Sequence, residues 1–246
     1  NIVPVVSEAI TRAGIKPSDI TAIAFTRGPG LLGSLLVGTS FAKGLAMSLD
    51  KPLVEVNHLQ GHILANFIKQ YDQENRQPEF PYLCLLVSGG NSQIVRVNSP
   101  LEYEILGQTI DDAVGEAYDK VAKVCGLDYP GGPIVDKLSK LGNDTYDLPM
   151  PLDDDSYNFS FSGIKSAVVN LVHNEKQRGN EIRVNDMCNS FQERAVSILV
   201  KKTMRAMEEY NVKNLVLAGG VAANSYLRER LKEECDRNNI NFGYPR

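Results

Sequence analysis

Apolar and polar positions follow two periods along this chain, and each change of period marks an element. Ile2, Val5, Val6, Ala9, Ile10 and Ala13 recur every three or four positions, which predicts a helix that Gly14 stops. Ile20 to Phe25 is a short apolar run and reads as a strand, followed by an apolar helix from Ser34 to Leu49. A second apolar run, Pro52 to Val56, reads as a strand. It leads through Asn57-His58-Leu59-Gln60-Gly61-His62 into a helical segment, Ile63 to Ile68. Residues 70 to 81 are polar. They read as a loop and as the boundary between two domains, 1–79 and 80–246.

Strands from Tyr82 to Val87 and from Ser92 to Val97 flank Ser88-Gly89-Gly90-Asn91, a hairpin with a glycine-rich turn. Glu102 to Leu106 is a third strand, so the sheet has an antiparallel part. The next helix reads as capped by Thr109, with Asp111, Asp112 and Glu116 in its first turns, where the helix dipole favours acid. Its inward positions are Ala113, Ala117, Val121, Ala122 and Val124. A turn, Leu127 to Pro133, leads into a helix carrying Asp136. Residues 143 to 162 are irregular and include Asp153-Asp154-Asp155, either a solvated turn or a ligand set. Helices follow over 163–174 and 184–210. Asn214 to Ala218 is a buried strand, and Gly219-Gly220 opens a helix to Asp236.

Chemistry concentrates at few places. His58 and His62 lie four apart, so one helix face can direct both imidazoles at one ion. The bland alternative is two surface or capping histidines. A zinc protease would carry Glu after the first His. Leu59 stands there, so the pair suits a metal that positions or polarises a substrate. Gly28 to Gly33 matches G-x-G-x-x-G with Glu55 downstream, but Pro29 lacks the N–H a phosphate loop needs, so a tight turn is the better reading. Strand, Gly219-Gly220, helix is a geometry that receives a phosphate or ribose. Asn224 is there either as a helix-end hydrogen bonder or as a ligand contact. Asp119 and Asp136 read either as solvated helix-face charges or as ligand-facing carboxylates. Ser88 has no base beside it in sequence, which favours binding over a covalent intermediate. His173 reads as solvent-facing.

Composition narrows the class. The 246 residues are 43% hydrophobic, enough for one large domain or two small ones. No unbroken apolar run reaches membrane-spanning length and no signal peptide is visible, so no membrane span is expected. Cys84, Cys125, Cys188 and Cys235 form no C-x-x-C and read as reduced thiols of a cytoplasmic protein. Lys plus Arg number 26 against 30 Asp plus Glu, a net charge of -4. That is no electrostatic footprint for nucleic acid, so a local basic patch or a partner must supply one. The chain opens without Met and closes as a strand begins, and it reads as the middle of a longer protein.

Taken in order, several segments resemble one family. They are His58-Leu59-Gln60-Gly61-His62, Leu86-Val87-Ser88-Gly89-Gly90, Asp111-Asp112-Ala113-Val114-Gly115-Glu116-Ala117-Tyr118-Asp119-Lys120, Tyr129-Pro130-Gly131-Gly132-Pro133, Phe159-Ser160-Phe161-Ser162-Gly163-Ile164-Lys165 and Ala218-Gly219-Gly220-Val221-Ala222-Ala223-Asn224. The set resembles the tRNA N6-adenosine threonylcarbamoyltransferases (TsaD/Gcp, formerly called O-sialoglycoprotein endopeptidase), of bacterial or organellar type. The resemblance implies an α/β, actin/hexokinase/Hsp70 ATPase-like fold with two lobes around a nucleotide-binding cleft. It implies that His58 and His62 bind one divalent metal per subunit, iron first and zinc second. It implies that Leu86, Val87, Ser88, Gly89, Gly90, Asp119, Gly132, Asp136 and Asn224 line the threonylcarbamoyl-adenylate site. The implied reaction transfers the threonylcarbamoyl group to N6 of adenosine 37 of tRNAs reading codons that begin with adenine. Implied partners are a paralogous subunit (TsaB) and a small ATPase (TsaE). The family's N-terminal strand pair and the C-terminal Asp that is its third metal ligand are absent from this sequence. Asn91 stands where members often carry His. The competing readings are a metal-dependent endopeptidase and a non-catalytic nucleotide-binding scaffold.

Overall fold

A computed structural model of the chain describes residues 2–68 and 77–244. It divides into two compact units, Asn1–His62 and Ile63–Arg246. The loop expected over 70 to 81 lies for its larger part outside the described residues.

The first unit runs helix α1 (Ile2–Ala13), strand β1 (Ile23–Gly28), helix α2 (Leu32–Leu49), strand β2 (Leu53–Asn57) and the start of helix α3 (His58–Leu64). β1 and β2 pair in parallel from Ile23↔Leu53 to Gly28↔Asn57. Parallel neighbours need a crossover, and α2 is that crossover. The strand expected at Ile20 to Phe25 begins three residues later, because Pro17–Asp19 forms a 3-10 turn. α3 starts at His58 rather than at Ile63, because the Asn57 Oδ1 accepts from Leu59 N at 2.8 Å and caps it. Although the sequence has no unbroken apolar run of that length, α2 is by length and composition apolar enough to cross a membrane. The core here is small: Ile23, Ala42 and Ala46, with Ile20, Phe25 and Leu45 packed against them.

The second unit is built on a five-stranded sheet of order β5-β4-β3-β6-β7. Its strands are β3 (Tyr82–Val87), β4 (Ser92–Ser99), β5 (Glu102–Gln108), β6 (Asn214–Ala218) and β7 (Asn241–Gly243). β3 is buried along its whole length, as a central strand with two covered faces must be. It pairs antiparallel with β4 and parallel with β6, with Leu86 opposite Ala218. Chain direction therefore forks between the carboxyl ends of β3 and β6, and ligands of open α/β sheets bind at such a fork. Helices α4 (Val114–Val124), α5 (Gly131–Ser139), α6 (Ser162–Gln177), α7 (Val184–Glu209) and α8 (Ser225–Arg237) complete the unit. One continuous apolar core joins Leu83, Leu85 and Val87 to Val121, Phe159, Phe161, Phe191, Leu199 and Leu231.

Two local expectations are corrected. Thr109 does not cap α4: its hydroxyl donates to the Asp112 carbonyl, and the helix begins five residues later at Val114. Asp111 serves α6 instead, and Asp112 ties α4 to α6. The Asp111 carboxylate accepts from Phe161 N at 2.8 Å and from the Ser160 and Ser162 hydroxyls, and Asp112 takes the Lys120 and Lys165 ammoniums. The Asp153-Asp154-Asp155 turn is bound to α7: Lys201 pairs with Asp153, Lys202 with Asp154, and Arg205 donates to the Asp154 and Asp155 carbonyls.

Candidate functional site

The glycine-rich turns supply the frame. After β3 the chain turns through Ser88-Gly89-Gly90-Asn91, closed by Ser88 N to Asn91 O at 2.7 Å and Asn91 N to the Ser88 Oγ at 3.1 Å. The Ser88 Oγ thus accepts a bond from the turn, and among the described residues no histidine or carboxylate is bonded to it. Leu86 and Val87 are fully buried, so they support the turn from within the sheet rather than facing a ligand. After β6, Gly219 has φ +91°, and a Cβ there would lie 2.2 Å from the Val87 carbonyl oxygen. Glycine is required to bring the two turns together. Gly115, in the first turn of α4, meets the Ser88 carbonyl in the same way. By contrast, Gly89, Gly90, Gly132 and Gly220 have nothing within 4 Å of an added Cβ. These four are open above the backbone, which is what a ligand needs.

The expected carboxylates stand at helix N-termini. Asp119 on α4 accepts from Gly131 N at 2.8 Å and so caps α5. Asp136 on α5 accepts from Ser225 N at 3.1 Å and the Ser225 hydroxyl at 2.8 Å, and so caps α8. Neither is simply a solvated surface charge. Asn224 is buried and caps α8 as well, its Oδ1 accepting from Leu227 N at 2.8 Å, while its Nδ2 donates to Gln192 Oε1 at 2.9 Å. The two readings of Asn224 are compatible: the cap uses one lone pair of Oδ1 and leaves a second. Sequence reasoning passed over Tyr118, Ser139, Gln192 and Ser225, which tie these side chains together. The signal was there for Gln192, a polar residue at helical spacing among Cys188, Ala195 and Leu199.

In the first unit His58 and His62 lie on one face of α3, with Nε2 atoms 3.1 Å apart. Two nitrogens each about 2.1 Å from a shared ion would lie about 3.0–3.4 Å apart, so the pair fits two positions of a metal's coordination shell. Burial, and then the charge of His58, lower the pKa of His62, which favours the neutral form that binds metals. Among the described residues no group of three or more His, Cys, Asp or Glu comes together. A hollow of about 760 Å³ beside α1, β1 and α2 is apolar apart from His58 and the hydroxyls of Thr26 and Ser34. Lacking convergent polar groups, it does not make a substrate site. His173 is exposed on α6, as expected, and bonds Gln177. The four cysteines are unpaired thiols.

The family model described as TsaD, tRNA N6-adenosine threonylcarbamoyltransferase, matches residues 1–246. The tRNA N6-adenosine threonylcarbamoyltransferase of Porphyromonas gingivalis is 54% identical over 241 residues, covering 96% of this chain and 70% of that protein. That of Staphylococcus saprophyticus is 48% identical over 245 residues, covering 99% and 70%. Among solved structures, HypF in a phosphate- and nucleotide-bound form superposes with TM-score 0.67 at 15% identity. That match covers 98% of this chain and 46% of HypF, so the chain spans less than half of HypF's length. At that identity the likeness speaks for an α/β ATPase-like fold alone.

Proposed function

This chain belongs to the tRNA N6-adenosine threonylcarbamoyltransferase family, and on that premise we propose that its second unit holds threonylcarbamoyl-adenylate for transfer to tRNA. The acceptor is N6 of adenosine 37 in tRNAs that read codons beginning with adenine. A bond forms between N6 and the carbamoyl carbon, the bond from that carbon to the phosphate oxygen breaks, N6 loses a proton, and AMP leaves. The observation that carries this reading is the fork between β3 and β6. Two glycine turns meet there, and Gly89, Gly90, Gly132 and Gly220 are open above the backbone. The glycine turns then receive the phosphate through N–H donors, and Asp119 or Asp136 accepts from the ribose hydroxyls.

We propose further that His58 and His62 hold one divalent metal per subunit, iron first and zinc as the alternative. When bound, such an ion would act as a Lewis acid that polarises a substrate carbonyl. The chain's own part is to hold both Nε2 atoms 3.1 Å apart on one helix face and to favour the neutral form of His62. The net charge of -4 favours help in gripping tRNA, so a paralogous subunit (TsaB) and a small ATPase (TsaE) are the proposed partners, in the cytoplasm. Nucleoside mass spectrometry of bulk tRNA tests the proposal. Cells depleted of the protein should lose N6-threonylcarbamoyladenosine. The intact gene should restore it, and a copy carrying His58→Ala and His62→Ala should not. Undiminished modified nucleoside on depletion, with no second copy of the gene, overturns the reaction; rescue by the double variant overturns the metal site.

A further inference from the structure

Gln192 is a polar side chain in an apolar place. It is 2% exposed on α7, with Phe191, Ala195 and Val196 buried around it. Burying a primary amide is costly unless all its hydrogen-bonding capacity is met. Here it is met by four partners from three other segments. Gln192 Oε1 accepts from Asn224 Nδ2 at 2.9 Å and from the Tyr118 hydroxyl at 3.1 Å. Gln192 Nε2 donates to Ser139 Oγ at 2.7 Å and to Asp136 Oδ1 at 3.4 Å.

The polarity of this network is set from both ends. Leu227 N can only donate, so the Asn224 Oδ1 must face it and the Asn224 Nδ2 must face Gln192. At the other end an ionised Asp136 can only accept, so the Gln192 amide nitrogen must face it. Among the described residues, Gln192 presents an acceptor to Asn224 and a donor to Asp136 at once. Asn224 and Asp136 come from separate segments, and both cap α8.

We propose that Gln192 is the positioning residue of the adenylate site, fixing the orientation of Asn224 and the placement of Asp136 relative to each other without touching the ligand. This rests on the reading that Asn224 and Asp136 line that site. The residue types follow from the role: a methionine would fill the space and hold neither group, and a glutamate would set a carboxylate against Asp136.

Equilibrium binding of AMP to the full chain, with each variant expressed as a ratio to the parent protein at the same pH, tests this. Gln192→Glu should bind about 30-fold more weakly at pH 8, the loss expected when one donor to a charged group becomes a repelling acceptor. The titratable groups around this position are Asp136 on α5, Tyr118 on α4, Tyr226 on α8 and Cys188 on α7 itself. Burial pushes the two phenols and the thiol upward, away from the acid and neutral range. Protonating the introduced carboxyl restores a donor, so the deficit should shrink to about threefold at pH 5.5. Gln192→Met should be weak at both pH values, because it cannot titrate. A deficit of Gln192→Glu that is absent, or equal at both pH values, overturns the proposal, and since both readings come from one folded preparation a folding defect cannot imitate the recovery. Asn224→Ala and Asp136→Asn separate the two layers. If they weaken AMP binding and the Gln192 variants do not, the positioning role falls and the site stands. If they leave binding unchanged, the site reading falls and the positioning role with it. Should Gln192→Glu fail to fold, Ser139→Ala takes its place: about threefold weaker binding supports the proposal, and unchanged binding overturns it.

Discussion

At Gly115 an added methyl group would lie 2.6 Å from the Ser88 carbonyl oxygen, a backbone atom that cannot swing aside. At Gly219 it would lie 2.2 Å from the Val87 oxygen and would also sit at φ +91°. At Gly132 it would meet nothing. The three glycines look alike in the sequence and do different work. Gly115→Ala or Gly219→Ala should cost about 3 kcal/mol or more of stability, measured as a lowered urea midpoint. Gly132→Ala should change stability by no more than about 1 kcal/mol, because an alanine is at home in a helix. Its effect should appear in ligand affinity, as AMP binding about tenfold weaker. A Gly132→Ala protein that binds AMP like its parent would remove Gly132 from the site.

Among elements, the instructive case is the cap of α6. The sequence places Asp111 and Asp112 just before α4, and local reasoning assigns them to that helix. The chain instead folds the distant Phe159-Ser160-Phe161-Ser162 stretch against them, with Thr109 bridged to Phe159. Burial acts to raise the pKa of Asp111, but hydrogen bonds from Ser160, Ser162 and the Phe161 backbone outweigh it, and the net shift is downward. Burial likewise acts to raise Asp112, and bonds and charge from Lys165 and Lys120 outweigh it. For a carboxylate whose pKa is lower folded than unfolded, the stabilisation is whole above the unfolded value. It is lost as pH falls through the folded one. Urea midpoints should therefore decline from about pH 4 downward. Asp111→Asn should lower the midpoint at pH 7 and flatten that decline. An unchanged acid slope in this variant would count against the cap.

On the scale of the whole molecule, the two units differ in how much apolar surface they bury. The second has a continuous core around a strand buried on both faces. Among its described residues, the first has Ile23, Ala42 and Ala46 buried in its cluster, and leaves Leu32, Leu36, Val37 and Met47 of α2 exposed. Local opening free energy follows burial and contact density. Amide hydrogen exchange should thus be at least about 100-fold slower in β3 and β6 than in β1 and β2. Equal protection in both sets would mean that the units unfold as one.

The sequence by itself determined most elements, because hydrophobic period, glycine turns and charge at helix ends are local and act over a few residues. β3, β6 and α7 lie within a residue of where periodicity puts them. It also determined the paired histidines, since a spacing of four on a helix fixes a shared face, and the ordered motifs that resemble the threonylcarbamoyltransferases. Only the tertiary structure decided which helix each acid caps, that Asp119 and Asp136 hold the starts of α5 and α8, and that Gln192 joins Asn224 to Asp136. Those partners lie 12 to 89 residues apart in sequence. A hydrogen bond over such a separation exists only after the sheet and helices have packed, so no local pattern can announce it.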